Sequence, residues 1–285
     1  MRLATAIMDG DPRLLLNVEE GFVDVAGSLP DLGTVTDVGA LFAAGPMAVD
    51  AVRGLLTESA TFPHDGVTLA PPVLAPSKIV CIGLNYQRHA TESGVPVPAE
   101  PVIFSKYPST LVGHKAPILC SPLSDQLDYE AELGVVIGRR AHAVSRAEAS
   151  SVIGGYVNAN DVTARDLQHG LPGGQWTFGK SLDSFCPLGP YVVTPDETGP
   201  WREIRIQCWV NGELRQDEGC ADMIFGVEEL IEYVSRGITL LPGDILLTGT
   251  PSGIAMAFSP PKWLRHGDVV EVELTGLGRL TSPVL

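Results

Sequence analysis

The stretch "LDYEAELGVVIG", Leu127–Gly138, decides how the chain is read. Its latter part, "AELGVVIG", is an apolar run of strand length bound for a core. Yet at its start Glu130 and Glu132 stand two residues apart. Alternate side chains of a strand share a face, so the two carboxylates point the same way and Ala131 points the other. Side by side on a buried face they repel, and one is driven to take up a proton unless a cation lies between them. A divalent metal ion is the simplest such cation. The same spacing also fits an exposed sheet face, with the acids solvated or paired with Arg139 and Arg140.

A third acid joins this pair from further along. "GYVNAND" reads as a strand whose end delivers Asp161 into the loop "DVTARDLQ". Glu130, Glu132 and Asp161, with no His or Cys paired to them, form a hard, all-oxygen donor set. That chemistry points to Mg²⁺, with Mn²⁺ and Ca²⁺ also compatible, and away from zinc.

Working outward, "KIVCIGLNY", "YVVTP", "IRIQCWVNGEL", "DILLTGTP" and "VVEVELTGLGRL" are further strand candidates. Helices are few. Ser145 and Glu148 make a capping box that opens "RAEASSVI". Ile224, Val227, Leu230, Ile231 and Val234 recur at helical spacing, with Gly237 as the stop. Residues 71–285 therefore read as an α+β, β-rich domain whose element order does not suit a doubly wound nucleotide fold. Residues 1–70, with "RLATAIM", "RLLLNV", "GFVDVAG" and a helical mix, read as a small N-terminal α+β region. The three prolines of "LAPPVLAPSK" mark the boundary.

The formal net charge of −15 sets up a field that repels nucleic acid and anionic membrane surfaces, so neither is expected as a partner. A small anionic substrate would need local cations or a bound metal ion. The five cysteines never fall in C-x-x-C spacing, which excludes a thiolate zinc site and a disulfide framework and suits a reducing cytoplasm. No apolar run reaches membrane-spanning length.

Other residues bear on chemistry. His89 and Glu92 lie three apart, so on a helix the carboxylate orients the imidazole as a base; a solvated surface histidine is the plainer alternative. "GGQWTFGKS" matches a phosphate-loop pattern from Gly174 to Ser181, but Gln175, Trp176 and Phe178 are too bulky for a phosphate cradle, and no helix follows. Lys180 is then either a cation beside the acids or an exposed lysine. Thr248, Gly249 and Thr250 could donate hydrogen bonds to an anion or form an ordinary turn.

Five motifs occurring in order, "GLNYQRHATESG", "DYEAELGVVIG", "NDVTARDLQ", "GKSLDSFCPLGP" and "LLTGTPSG", resemble the fumarylacetoacetate hydrolase family. The resemblance covers about residues 72–285 and runs into "PPKWLRHGDVVEVELTGLG". It implies the mixed β-roll of that family's C-terminal domain, usually assembled as a homodimer. It places the metal ligands on Glu130, Glu132 and Asp161, and a lid dyad on His89 and Glu92. Lys180 falls on a substrate-binding position, Arg165 and Gln168 on active-site positions, and Thr250, beside Gly249, on the site for the substrate carboxylate. Leu182 and His114 depart from the family's usual residues. The implied activity is metal-dependent hydrolysis of a C–C bond in a 2,4-dioxo acid, giving pyruvate and a carboxylic acid. His89 would activate the water, while Gln168 and Lys180 would stabilise developing charge. The same apparatus fits a decarboxylase or tautomerase of oxaloacetate, or a 2-hydroxymuconate-type isomerase or decarboxylase. A metal-braced, non-catalytic protein is the reading from outside enzymology.

Overall fold

Strand Ala131–Ile137 forms with every residue buried, in a computed structural model that describes residues 1–92 and 94–285. It lies inside an eleven-stranded sheet. The main path runs Gly21–Asp24, Asp11–Val18, Arg2–Met8, Cys186–Val193, Ile153–Asn160, Ala131–Ile137, Ile245–Leu247, Ile79–Gly83 and Val102–Lys106. The acid strand pairs antiparallel with Ile153–Asn160, Glu132 opposite Ala159, and antiparallel with Ile245–Leu247, Leu247 opposite Gly134. Ile79–Gly83 runs parallel to Ile245–Leu247. These directions bring the start of the acid strand and the ends of Ile153–Asn160, Ile245–Leu247 and Ile79–Gly83 to one rim, which is where the chemistry-bearing residues lie.

The alternation divides the acid strand between two cores. Ala131, Leu133, Val135 and Ile137 pack with Ile206, Val272 and Leu274 of a second, four-stranded antiparallel sheet. That sheet is built from Glu213–Gly219, Arg205–Val210, Val269–Leu274 and Arg279–Pro283. Val136, on the other face, packs with Leu3, Leu16, Leu41 and Val52 of the N-terminal region. The N-terminal strands continue the same sheet, because Arg2–Met8 pairs with Cys186–Val193 through Arg2 opposite Val193 and Leu3 opposite Val192. The two sheets and few helices make the mixed, β-rich architecture that the resemblance implies. Asn211 and Gly212 turn one hairpin of the smaller sheet with φ of 52° and 78°; asparagine and glycine are the residues that tolerate the left-handed pair such a turn demands.

Helix Val227–Ser235 buries Val227, Leu230, Ile231 and Val234, the spaced positions that mark it in sequence, whereas Ile224 lies before its start. Each buried aliphatic side chain contributes roughly 1.5–3 kcal/mol. The Ser145–Glu148 capping box forms and opens a single turn, Arg146–Ala149, that passes into a 3₁₀ turn. All five cysteines are free thiols. No described helix is long and apolar enough to cross a membrane.

Candidate active site

Two backbone contacts stitch the acid-bearing segments together at the rim. The Asp161 amide donates to the Glu130 carbonyl at 2.8 Å, and the Glu130 amide donates to Asn160 Oδ1 at 2.9 Å. Glu130, Glu132 and Asp161 are all buried, and one oxygen of each lies within 4.8 Å of the others. The exposed-face alternative is thereby excluded for Glu130 and Glu132.

Three buried cations answer them. Lys180 ends the short helix Trp176–Lys180, and its Nζ donates to Glu130 Oε2 and Asp161 Oδ2 at 2.8 Å each and to Thr163 Oγ1 at 2.7 Å. Arg165 opens helix Arg165–Gly170, donating from Nη2 to Glu130, from Nε to Asp128 Oδ2 at 2.8 Å and from Nη1 to Gln168 Oε1 at 2.9 Å. Lys106, on the edge strand, donates to the remaining Asp161 oxygen at 2.6 Å and to the carbonyls of Val162 and Lys180.

Burial alone would push the Glu130 carboxyl up, but the Lys180 and Arg165 charges outweigh it and hold it down at about 2. Glu132 differs. Burial, together with the Asp161 and Glu130 charges, raises its carboxyl well above the ordinary range, and its amide partner, Gly249 N–H at 2.8 Å, only partly offsets this. Lys180 stays protonated because Asp161 and Glu130 outweigh its burial.

His89 and Glu92 share the helix Gln87–Glu92, with Nδ1 of the histidine 3.3 Å from Glu92 Oε2. The Gly253 amide donates to the Glu92 carboxylate at 2.9 Å, so the loop after strand Ile245–Leu247 holds the dyad from outside. On that loop the Thr250 hydroxyl donates to the Ala131 carbonyl at 2.9 Å and accepts from Gln216 Nε2 at 2.8 Å. The Gly249 amide and the Thr250 hydroxyl, both read in sequence as donors to an anion, are thus turned onto the acid strand here.

His89, Glu130, Glu132, Arg165, Gln168, Lys180 and Thr250 line one cavity of about 200 Å³. Asp161, Glu92 and Gly249 touch that lining from behind through the contacts above. Lys106, Asp128 and Gln216 are additions that sequence reasoning did not single out. Asp128 continues the two-residue alternation of Glu130 and Glu132, a signal that was present; Lys106 ends a strand as exposed lysines commonly do, and Gln216 is a lone amide on another sheet. His114 stands apart from the cavity, accepting from the Thr281 amide at 3.2 Å.

The donor set fits a divalent ion. Its three oxygens belong to hard carboxylates at chelating separation, among the described residues no Lys or Arg forms an ion pair with Glu132, and the four acids Asp128, Glu130, Glu132 and Asp161 outnumber Lys106, Arg165 and Lys180. Lys180 Nζ already occupies the position between Glu130 and Asp161 that favours positive charge.

Residues 78–285 match the model of the fumarylacetoacetate (FAA) hydrolase C-terminal family. The chain is 45% identical over 233 residues to the mitochondrial oxaloacetate tautomerase FAHD2B of Bos taurus, covering 82% of this chain and 74% of the relative. It is 43% identical over 222 residues to the oxaloacetate tautomerase YisK of Bacillus subtilis (strain 168), covering 76% and 73%. Among solved structures, the fumarylacetoacetate hydrolase of the psychrophile Exiguobacterium antarcticum superposes with a TM-score of 0.86 at 34% identity, covering 100% of this chain and 99% of that one.

Proposed function

The chain belongs to the fumarylacetoacetate hydrolase family, and we propose that within it the protein catalyses keto–enol tautomerisation of a 2-oxo acid, with oxaloacetate as the first substrate to test. The observation that carries this reading is the placement of His89. Its imidazole lines the same cavity as Glu130, Glu132 and Lys180, while Nδ1 is held by Glu92. Donation from Nδ1 to Glu92 selects the tautomer whose Nε2 is free to accept a proton. Tautomerisation requires such a group: Nε2 removes a proton from C3, the electron pair left behind forms the C2–C3 double bond, and the former carbonyl oxygen takes up a proton. The reverse sequence carries enol to keto.

The remaining residues bind and orient. Arg165 fixes Gln168 through Oε1, which leaves the Gln168 amide nitrogen to donate to a substrate oxygen. A Mg²⁺ or Mn²⁺ ion held by Glu130, Glu132 and Asp161 would supply two positive charges, enough to make the four-acid, three-base cluster attractive to a small anion. The names of the relatives support tautomerisation over the C–C hydrolysis implied by resemblance alone, since both activities need an enolisable 2-oxo acid and a base. A homodimer, as the resemblance implies, belongs to the same proposal and is read by light scattering.

The test follows the decay of enol absorbance in freshly dissolved oxaloacetate, with Mg²⁺, with Mn²⁺ and with EDTA, while NMR monitors pyruvate. Metal-dependent acceleration that falls about 10²–10⁴-fold in His89→Ala is the expected result. Unaccelerated enol decay overturns the reading, and pyruvate release from an acylpyruvate under the same conditions would restore the hydrolase.

A further inference from the structure

Besides the acids and cations, the cavity is lined by aromatic and apolar side chains, Phe104 and Trp176 among them. The Trp176 ring lies against Gly83, where an added Cβ would come within 2.6 Å of Cζ3. Glycine at the end of strand Ile79–Gly83 is therefore what admits the indole to the cavity wall. Trp176 meets Phe104 edge-on, with centroids 5.5 Å apart and planes at 66°, and meets His169 at 6.4 Å and 88°. Ile254 and Met256 also line the cavity. Lys180 Nζ stands 5.1 Å from the Phe104 ring centroid, so the aromatic wall begins where the charged groups end.

Among the described lining residues, the permanent cations are Arg165 and Lys180, and both are bonded to Glu130. Burial, with help from those two charges, lowers the pKa of His169 and favours its neutral form. A substituent reaching this end finds apolar and aromatic surface rather than a second charged partner.

We propose that the Trp176 side of the cavity is a subsite for a flat, apolar substituent on C3 of the substrate, so that the enzyme also tautomerises 2-oxo acids carrying an aryl group there. The inference rests on the tautomerase reading. The step needs no co-reactant: a proton leaves C3, its electron pair becomes the C2–C3 double bond, and the carbonyl oxygen gains a proton. An aryl group on C3 becomes coplanar with the new double bond. A wall of aromatic side chains matches that flattened form better than the bent keto acid, and binding strengthened along the reaction path accelerates it.

The experiment compares phenylpyruvate with oxaloacetate, measuring keto–enol interconversion with saturating Mg²⁺ for the wild type, Trp176→Ala, Trp176→Phe and Gly83→Ala. Tautomerisation of both substrates is expected, with the ratio of kcat/KM for phenylpyruvate to that for oxaloacetate falling tenfold or more in Trp176→Ala. Gly83→Ala, which displaces the indole, should lower the ratio in the same direction, and Trp176→Phe should retain part of it. Turnover of oxaloacetate without phenylpyruvate, or an equal loss on both substrates in the variants, overturns the subsite while leaving the tautomerase reading intact. Turnover of neither by the wild type overturns both.

Discussion

Replacing Lys106 with methionine tests the electrostatic frame of the site. Lys106 is 1% exposed, and its ammonium sits 2.6 Å from Asp161 Oδ1 while also donating to the Val162 and Lys180 carbonyls. At an effective dielectric of about 20, the ion pair alone is worth about 6 kcal/mol, from which the cost of burying both charges must be taken. Breaking a buried pair by removing one partner typically costs about 3–5 kcal/mol. Unfolding entropy of about 2.1 cal/mol/K per residue gives about 0.6 kcal/mol/K for this chain, so the loss corresponds to a fall in Tm of about 5–8 °C. The effect of metal has the opposite sign. Without Lys106 the acid cluster carries one more negative charge, so a divalent ion should bind more tightly and raise Tm further in the variant than in the wild type. Thermal melts in EDTA and in saturating Mg²⁺ or Mn²⁺ read both effects. A variant that melts within about 1 °C of the wild type in EDTA, or that gains less from metal than the wild type does, refutes the reasoning.

Two further outcomes follow from the same geometry. Glu132→Gln keeps an acceptor for the Gly249 amide but removes an anionic oxygen from the triad, so calorimetry with Mn²⁺ should show affinity reduced about 100-fold, or about 2.7 kcal/mol; unchanged affinity would take Glu132 out of the ligand set. Gly253→Ala places a Cβ 2.0 Å from the Arg215 carbonyl at a residue with φ of 98°. It should lower Tm and, by moving the amide that holds Glu92, reduce kcat about tenfold; wild-type kcat in the folded variant would show that this amide does not position the dyad.

The acids were legible because alternation along an extended chain is geometric, although only Glu132 lies within the strand; Glu130 stands just before its first residue, Ala131, rather than inside it. Helix Val227–Ser235 was legible by the same kind of rule. Asp128 follows the alternation too, but its partners, Arg165 and the Ala255 amide at 2.6 Å, come from distant segments that no local pattern announces. Lys106 was hidden for a related reason. A lysine closing "VIFSK" has the form of an exposed strand end, and only the tertiary fold brings its ammonium to Asp161. The N-terminal strands read correctly as short alternating runs, whereas their pairing with Cys186–Val193 joins residues nearly two hundred positions apart and leaves no trace in local periodicity. Gly249 and Thr250 were visible as donors. Their targets were not, because a carboxylate and a strand carbonyl a few ångströms away take those hydrogen bonds first.

Gln216 shows how the second sheet takes part in the site. Its Oε1 accepts from the Ala131 amide at 2.9 Å, while Nε2 donates to Thr250 Oγ1 at 2.8 Å and to the Pro251 carbonyl at 2.9 Å. One amide thus fixes the backbone between the two glutamates and the loop that holds the Glu92 carboxylate. Asn160 works from the neighbouring strand, but with its oxygen committed to the Glu130 amide, its buried Nδ2 has no partner. A buried donor left unpaired costs about 1–3 kcal/mol. That cost and the mutual repulsion of Glu132 with its acidic neighbours fall within the same few residues. Unfavourable terms gathered beside three carboxylates at chelating separation are what a site held for chemistry looks like. The two amides supply the rigidity that keeps the carboxylates facing one another.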